Sequence, residues 1–288
     1  MKKFFVFFVF VFAAFQLSAK GGKICRIWKD VPGMEKQYSV MYVHDEVKKD
    51  GTLHPAVIIL PGGSYHHLGL YNEGYKTAEW FVKKGFAAFT LKYRTAENGH
   101  HYPAMLEDVQ RAVLLVRENA GQYGVDVNKV GVIGFSAGGH LALMAASFYE
   151  SHDELLKLGI KHEFSLRPDF CIPVYPVVSM NDELAHRWSR KSLLGKDQSP
   201  ERKNEFSMEL NVNDNMPPVY VVVCRDDPVV DYRNSFVLAD ALKAKNIPGG
   251  FAVYEWGKHG FGMLDNKFMK EFNWNEKMWD EFLSKILY

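Results

Sequence analysis

The 288-residue sequence has few cysteines, no marked excess of basic charge, and neither an internal repeat nor a low-complexity linker. Its three cysteines are an odd number, so they indicate no disulfide framework. Cys171 and Cys224 lie in apolar, strand-like runs, where we expect buried, unreactive thiols. These absences exclude a small disulfide-stapled scaffold, a repeat protein and a disordered chain, and they leave a globular fold with a sizeable core.

The chain also lacks the basic clusters that nucleic-acid binding requires. Lys and Arg are interleaved with Asp and Glu throughout, and removing Lys2 and Lys3 from the 35 basic residues leaves 33 against 34 acidic ones. A formal charge near −1 disfavours polyanions as partners. A metal site at the paired histidines His66-His67 or His100-His101 is also disfavoured, because no third ligand occurs at a suitable spacing.

The N-terminus has the three parts of a secretory signal peptide. Lys2 and Lys3 precede an apolar run from Phe4 to Phe15, and Gln16-Leu17-Ser18-Ala19 follows with two small residues at its end. The apolar run is shorter than the roughly 20 residues that a spanning helix needs. We therefore expect residues 1–19 to be a cleaved signal, residues 20–288 to form one catalytic domain, and the mature protein to be secreted or periplasmic, without a membrane anchor.

From Pro55 onward, short β-branched or aromatic runs alternate with stretches of helical period, which is typical of a mostly parallel sheet covered by helices on both faces. The first two strands precede any crossover helix, so they should be an antiparallel edge hairpin. Five helices are expected: 75–84, 104–119, 138–149, 232–245 and 267–287. The predicted strands are eight: 25–28, 38–43, 56–60, 87–91, 130–134, 170–174, 219–224 and 251–255.

Residues 179–215 do not fit this alternation, because they are polar and interrupted by Gly195 and Pro200. Insertions after the carboxyl ends of strands commonly build substrate pockets in such folds. We interpret 179–215 as a small cap insertion, and the alternative is a solvated helical excursion without contacts.

The strongest chemical signal is an apolar strand running into Gly134-Phe135-Ser136-Ala137-Gly138 and then into a helix. A Gly-x-Ser-x-Gly sequence at a sharp strand-to-helix turn exposes the serine hydroxyl as a nucleophile, and the flanking glycines prevent collisions with neighbouring elements. The serine needs a base and a carboxylate that orients the base. Sequence order supplies them on loops after late strands: Asp227, with Asp226 as the alternative, and then His259.

Backbone amides should stabilise the oxyanion of the tetrahedral intermediate. One donor is expected at Ala137, directly after the nucleophile, and the others at Gly63 and Ser64, in the loop after the strand 56–60. The alternative for this Gly-Gly pair is a plain tight turn. If Ser64 must adopt a positive φ, a residue other than glycine is strained there.

The segments LPGGSY, YRTAENGHHYPAMLEDVQRA, GFSAGGH, RDDPVV and GKHGFG resemble bacterial esterase and lipase-like hydrolases, the acetylxylan and feruloyl esterases. The resemblance spans nearly all of the mature chain and extends to the catalytic domain of prolyl oligopeptidases. It implies an α/β-hydrolase fold, a triad of Ser136, Asp227 and His259, no metal or organic cofactor, and hydrolysis of small acyl esters, often acetyl groups on plant carbohydrate. The chain departs from the family pattern at Ser64, where a third glycine is common.

Contacts with a sugar ring are predicted for aromatic and imidazole side chains in two segments: Tyr65, His66 and His67 near the oxyanion loop, and His100, His101 and Tyr102. The first candidates among them are Tyr65, His66 and Tyr102. The same residues are equally suited to packing at the rim of a pocket. Two other functions remain open from the sequence: a peptidase related to prolyl oligopeptidase, and a non-catalytic carbohydrate-binding protein on the same fold. The absence of a propeller sequence disfavours the first, and the intact set of triad residue types disfavours the second.

Overall fold

The computed structural model describes residues 23–44, 51–264 and 266–288. The predicted signal segment 1–19 lies outside these residues. Within them, no helix combines the length and apolar character that crossing a bilayer requires.

Eight strands form one sheet in the described part of the chain, in the order β1-β2-β4-β3-β5-β6-β7-β8. β1 pairs with β2 and β2 with β4 in antiparallel fashion, and all other pairs are parallel. This topology confirms the predicted fold class and the antiparallel edge hairpin. The strands are Lys23–Arg26 (β1), Val40–His44 (β2), His54–Leu60 (β3), Ala87–Lys92 (β4), Val125–Phe135 (β5), Cys171–Val174 (β6), Val219–Cys224 (β7) and Gly249–Tyr254 (β8).

The described helices are Lys76–Lys83 (α1), Ala104–Glu118 (α2), Ala120–Tyr123 (α3), Ala137–Ser147 (α4), Glu154–Lys157 (α5), Arg187–Leu194 (α6), Pro200–Glu205 (α7), Arg233–Ala244 (α8), Lys267–Phe272 (α9), Trp274–Met278 (α10) and Ser284–Leu287 (α11). Wide helical turns at Leu70–Tyr75 and Trp279–Leu283 precede α1 and α11. The prediction of one continuous helix over 267–287 was wrong. Asn273 adopts a left-handed conformation with φ of 47° and separates α9 from α10.

β5 begins at Val125, five residues before its predicted start at Val130. The polar residues Asp126, Asn128 and Lys129 concealed this extension, which pairs with β3 through an irregular register between His54 and Ala56. The extension lies at the amino end of β5, opposite to the end that carries the candidate nucleophile. The position of the site is therefore unaffected by the error.

The sheet is buried on both faces. In β3, Ile58 packs into the cluster that contains side chains of α2, α4 and α8, whereas Ile59 packs into the cluster of α1 and the C-terminal helices. Both side chains are fully buried. Helices on both faces leave the carboxyl ends of the central parallel strands as the place where loops can gather, as is usual for open α/β sheets.

The insertion at 179–215 contains α6 and α7 and packs against the body of the domain. Leu193, Phe206 and Met208 are buried in the same core as α4, and the His140 ring nitrogen Nε2 lies 2.7 Å from the Phe206 carbonyl oxygen. These contacts contradict the alternative of a solvated excursion without contacts. The insertion therefore holds a fixed place beside the carboxyl end of β5.

Candidate active site

Ser136 occupies the turn between β5 and α4, with φ of 54° and ψ of −118°. A Cβ at Gly134 would lie 2.0 Å from the Gly138 carbonyl oxygen, and a Cβ at Gly138 would lie 2.0 Å from that of Leu60. Only glycine fits at either position, which is the physical reason for the Gly-x-Ser-x-Gly pattern. The unfavourable backbone of Ser136 is held by this packing, and such strain is typical of functional positions.

His259 lies on the loop after β8 and reaches Ser136. Its Nε2 is 2.9 Å from the Ser136 Oγ, and its Nδ1 is 2.6 Å from Oδ2 of Asp227. The Asp227 side chain is fully buried and the His259 side chain is 13% exposed. The structure thus brings the three predicted side chains into one hydrogen-bonded chain.

The two adjacent aspartates make different contacts. Asp227 Oδ1 accepts hydrogen bonds from the amides of Val229 and Val230, at 2.8 and 3.0 Å, which leaves Oδ2 for the imidazole. Asp226 Oδ1 instead accepts from the amide of Lys258, at 2.8 Å. Consecutive side chains on the loop after β7 point in different directions, so only Asp227 meets His259.

The loop after β3 places Gly63 and Ser64 in the same cleft as Ser136 and His259. Gly63 has φ of 129°, and a Cβ there would lie 2.2 Å from the His67 carbonyl oxygen. Among the described residues, the amides of Gly63, Ser64 and Ala137 donate no hydrogen bond to another protein group. Three amides without a protein partner around a strained serine are available to an anionic oxygen.

Ser64 and Tyr65 both adopt φ of 57°, in the left-handed region. Ser64 therefore has the positive φ that a residue other than glycine adopts only with strain. Backbone hydrogen bonds from the His66 and His67 amides to the Gly63 carbonyl, at 2.9 and 3.0 Å, hold the turn in this form.

The site opens into a cleft of about 600 Å³. Its lining includes the segment from Leu68 to Glu73 together with Val229 and Gly260. His67, on the oxyanion loop, also lines the cleft and is exposed. Space for a substrate therefore lies directly beside Ser136 and the free amides.

The three predicted substrate contacts have different outcomes. Tyr65 is fully buried and its hydroxyl lies 2.8 Å from Nδ1 of His140, so it belongs to the core and does not face a substrate. Tyr102 donates to Glu154 at 2.6 Å and packs against Phe206, outside the residues that line the cleft. The prediction for Tyr65 was wrong, because its position next to the oxyanion loop in the sequence did not fix the direction of its side chain, and that for Tyr102 stays a prediction.

His66 is part of a cluster of three rings beside the cleft. Its ring centroid is 5.3 Å from that of Trp188 and 6.2 Å from that of His67, and His67 is 5.8 Å from Trp188. Trp188, on α6 of the insertion, is 49% exposed. The sequence-based prediction did not include Trp188, and its one available signal was a large aromatic residue in the polar segment 179–215.

His186, the residue directly before α6, is half-buried, and its Nδ1 lies 2.8 Å from the Ser189 hydroxyl oxygen. Burial and the charge of His259 lower the pKa of the His186 imidazole.

Glu73 was also missed. It lines the cleft, yet its side chain is largely buried, and burial raises the pKa of its carboxyl group. Oε2 accepts a hydrogen bond from the Gly62 amide at 2.7 Å, and Oε1 accepts from the Tyr175 hydroxyl at 2.8 Å. No local motif marks this residue, because one of its two partners, Tyr175, lies 102 residues away along the chain.

The described residues contain no group of three or more His, Cys, Asp or Glu side chains placed to hold a metal ion. The arrangement that is present consists of a hydroxyl, an imidazole, a buried carboxylate and free amides. Those groups are sufficient to form and break an acyl bond on the serine.

Residues 41–242 of the chain match the BD-FAE family model. The chain is 34% identical over 241 residues to endo-1,4-beta-xylanase B of Butyrivibrio fibrisolvens, covering 82% of this chain and 36% of that protein. It is 30% identical over 211 residues to an acetylxylan esterase of Xylanibacter ruminicola, covering 72% of this chain and 41% of that protein. The chain thus spans about two fifths or less of the length of these relatives.

Solved structures give matches of fuller length. An acetyl ester-xyloside bifunctional hydrolase from Caldicellulosiruptor lactoaceticus aligns with a TM-score of 0.78 and 31% identity, covering 90% of this chain and 96% of that one. An esterase from Thermogutta terrifontis aligns with a TM-score of 0.76 and 20% identity, covering 93% of each chain. The second likeness, at this low identity, supports the fold alone.

Proposed function

Because the chain belongs to the BD-FAE family, whose relatives are esterases of the α/β-hydrolase fold, we propose that it is a serine carboxylesterase that removes small acyl groups, acetyl above all, from plant-type carbohydrate. The membership confirms the esterase family predicted from the sequence motifs. The observation that carries the proposal is the hydrogen-bonded chain from Ser136 through His259 to Asp227, beside amides that donate to no protein group in the described part of the chain.

In the proposed reaction, the Ser136 Oγ attacks the ester carbonyl carbon while Nε2 of His259 takes the hydroxyl proton. Asp227 holds Nδ1 protonated and stabilises the imidazolium that forms. The carbonyl oxygen becomes an oxyanion and accepts hydrogen bonds from the amides of Gly63, Ser64 and Ala137. The tetrahedral intermediate then collapses, the C–O bond to the alcohol breaks, and His259 returns the proton to the leaving oxygen.

The acyl group is then bonded to Ser136. Water enters beside His259, which takes one proton from it as the water oxygen attacks the acyl carbon. Collapse of the second tetrahedral intermediate releases the carboxylic acid, and the proton on His259 returns to the Ser136 Oγ. The net reaction converts one ester and one water into an alcohol and a carboxylic acid, and neither step uses a cofactor.

The ring cluster of His66, His67 and Trp188 supports a sugar as the alcohol part of the ester. Flat aromatic faces with polar edges suit the alternating apolar faces and hydroxyl edges of a pyranose. The names of the acetylxylan esterase and the acetyl ester-xyloside hydrolase among the similar proteins point to the same substrate class. The N-terminal residues 1–19 support action outside the cytoplasm, where plant polysaccharides are met.

The test uses residues 20–288 with two substrate sets: 4-nitrophenyl esters of increasing acyl length and acetylated xylo-oligosaccharides. We expect release of acetate from both, with a preference for short acyl chains, and loss of activity in Ser136→Ala and His259→Ala. Exposed Ser151 provides the matched control, and Ser151→Ala should retain full activity. Release of the free acid is followed by titration at constant pH.

A fluorophosphonate should label the wild-type protein and Ser151→Ala but not Ser136→Ala. Unchanged hydrolysis by Ser136→Ala would overturn the mechanism. Hydrolysis of peptide amides without hydrolysis of esters would favour a peptidase, and tight binding of xylo-oligosaccharide with neither hydrolysis nor labelling would favour a binding protein.

A further inference from the structure

Glu73 has no role in the reaction described above, yet it is the buried carboxyl group at the side of the cleft. It belongs to the helical turn Leu70–Tyr75, and its residue is 7% exposed. A carboxylate taken out of water is costly unless hydrogen bonds compensate for its lost hydration. Both of its oxygens have such partners, one from the oxyanion loop at Gly62 and one from Tyr175 at the end of β6.

Gly62, whose amide binds Glu73, packs directly against the proposed nucleophile. A Cβ at Gly62 would be 2.9 Å from the Ser136 Cβ and 2.7 Å from the Phe135 carbonyl oxygen. The next residue is Gly63, whose amide is one of the proposed oxyanion donors. Any displacement of the Gly62 peptide would therefore displace a donor relative to Ser136.

Tyr175 extends the connection to the loop that carries the base. Its hydroxyl oxygen accepts a hydrogen bond from the Gly262 amide at 3.2 Å while donating to Glu73. Its ring centroid is 4.7 Å from that of His259. A second link runs between the same segments, from the Met263 amide to the Asn72 carbonyl oxygen at 3.2 Å.

We infer that Glu73 is a positioning residue that holds the oxyanion loop and the His259 loop in fixed relation to Ser136, and this inference rests on the proposed esterase function. Catalytic groups must be held to within about 0.5 Å of the productive geometry. Glu73 meets this need because one carboxyl group binds both loops, directly at Gly62 and through Tyr175 at Gly262. Glu73 acts through these neighbours and not on the substrate, because each of its carboxyl oxygens already accepts a hydrogen bond from the protein.

The experiment compares Glu73→Ala, Glu73→Gln and Tyr175→Phe with the wild-type protein on 4-nitrophenyl acetate. Glu73→Ala should lower kcat by about 100-fold, as loss of one oxyanion donor does, while KM changes by less than about threefold. The affinity for an alkyl boronic acid, which forms a tetrahedral adduct on serine, should fall by a similar factor. Glu73→Gln keeps an acceptor for the Gly62 amide and should recover kcat to within about tenfold of the wild type.

Tyr175→Phe retains the bond from Gly62 to Glu73 and removes the link to Gly262, so we expect a smaller loss of kcat than in Glu73→Ala. Glu154→Gln is the matched control, because Glu154 is also a buried carboxyl that accepts from a tyrosine hydroxyl, that of Tyr102 at 2.6 Å, away from the cleft. This control should lower the melting temperature without lowering kcat.

A Glu73→Ala protein that is folded at the assay temperature and retains the wild-type kcat and boronic acid affinity would overturn the inference. So would equal losses of kcat in Glu73→Ala and Glu154→Gln, since that would show a general effect of destabilisation. Failure of the proposed function is a separate result, namely a wild-type protein that hydrolyses no ester.

Discussion

Replacing Asp227 by asparagine tests the proposed triad with almost no change in side-chain volume. The amides of Val229 and Val230 both donate to Oδ1 of Asp227, so the asparagine oxygen should occupy that position. The new NH₂ group then faces Nδ1 of His259, where the carboxylate oxygen now lies at 2.6 Å. An imidazole that accepts a hydrogen bond at Nδ1 carries its proton on Nε2, and it cannot take the proton of Ser136.

The structure also sets the size of the effect. The amide can escape this orientation by flipping, but the flip turns NH₂ toward two backbone amides and leaves both unpaired, at about 1 to 3 kcal/mol each. The smallest loss of kcat is therefore about 30-fold, equivalent to about 2 kcal/mol. The unflipped, wrong-tautomer state corresponds to about 10⁴-fold, or about 5 kcal/mol, and we expect a value toward this upper limit.

Asp226→Asn is the matched control, because it makes the same chemical change one residue away. Its Oδ1 accepts from the Lys258 amide, and the asparagine oxygen can keep that bond. We expect kcat within about threefold of the wild type. The assay is steady-state hydrolysis of 4-nitrophenyl acetate, with active sites counted by the fluorophosphonate. A larger loss in Asp226→Asn than in Asp227→Asn would refute the reasoning.

Three further predictions concern the oxyanion loop, the ring cluster and the core. Gly63→Ala would place a Cβ 2.2 Å from the His67 carbonyl oxygen, so kcat on 4-nitrophenyl acetate should fall by about 100-fold or more; wild-type activity would show that this loop donates nothing. Trp188→Ala should lower the ratio of kcat/KM for acetylated xylo-oligosaccharide to that for 4-nitrophenyl acetate by about tenfold, whereas Trp188→Phe should lower it less, and an unchanged ratio would exclude ring stacking there. Burial lowers the pKa of His140 to about 4, so the unfolded chain binds more protons between about pH 6.5 and 4. Urea denaturation should then show that the free energy of unfolding falls by about 3 kcal/mol as the pH falls through this range, and by less in His140→Gln. An equal dependence of this free energy on pH in both proteins would contradict the prediction.

The sequence by itself determined the fold class, and it predicted the serine and the histidine that the structure brings within hydrogen-bond distance, Ser136 and His259. Alternating strand and helix patterns are local properties, and so is the steric need for glycine around Ser136. His259 was identifiable because triad residues lie on loops after late strands in a fixed chain order. The long helix predicted over 267–287 failed at Asn273, because the helical period of the side chains does not reveal one left-handed residue.

The tertiary structure alone decided which groups meet across the site. The sequence favoured Asp227 but left Asp226 as an alternative, and the path of the loop after β7 turns Asp227 toward His259. Tyr65 follows the oxyanion loop directly, but the left-handed turn there sends its side chain into the core. Glu73 and Trp188 gain their places from contacts with Tyr175 and His67, more than a hundred residues away along the chain. Such contacts depend on how the sheet and the insertion pack, and no local pattern encodes them.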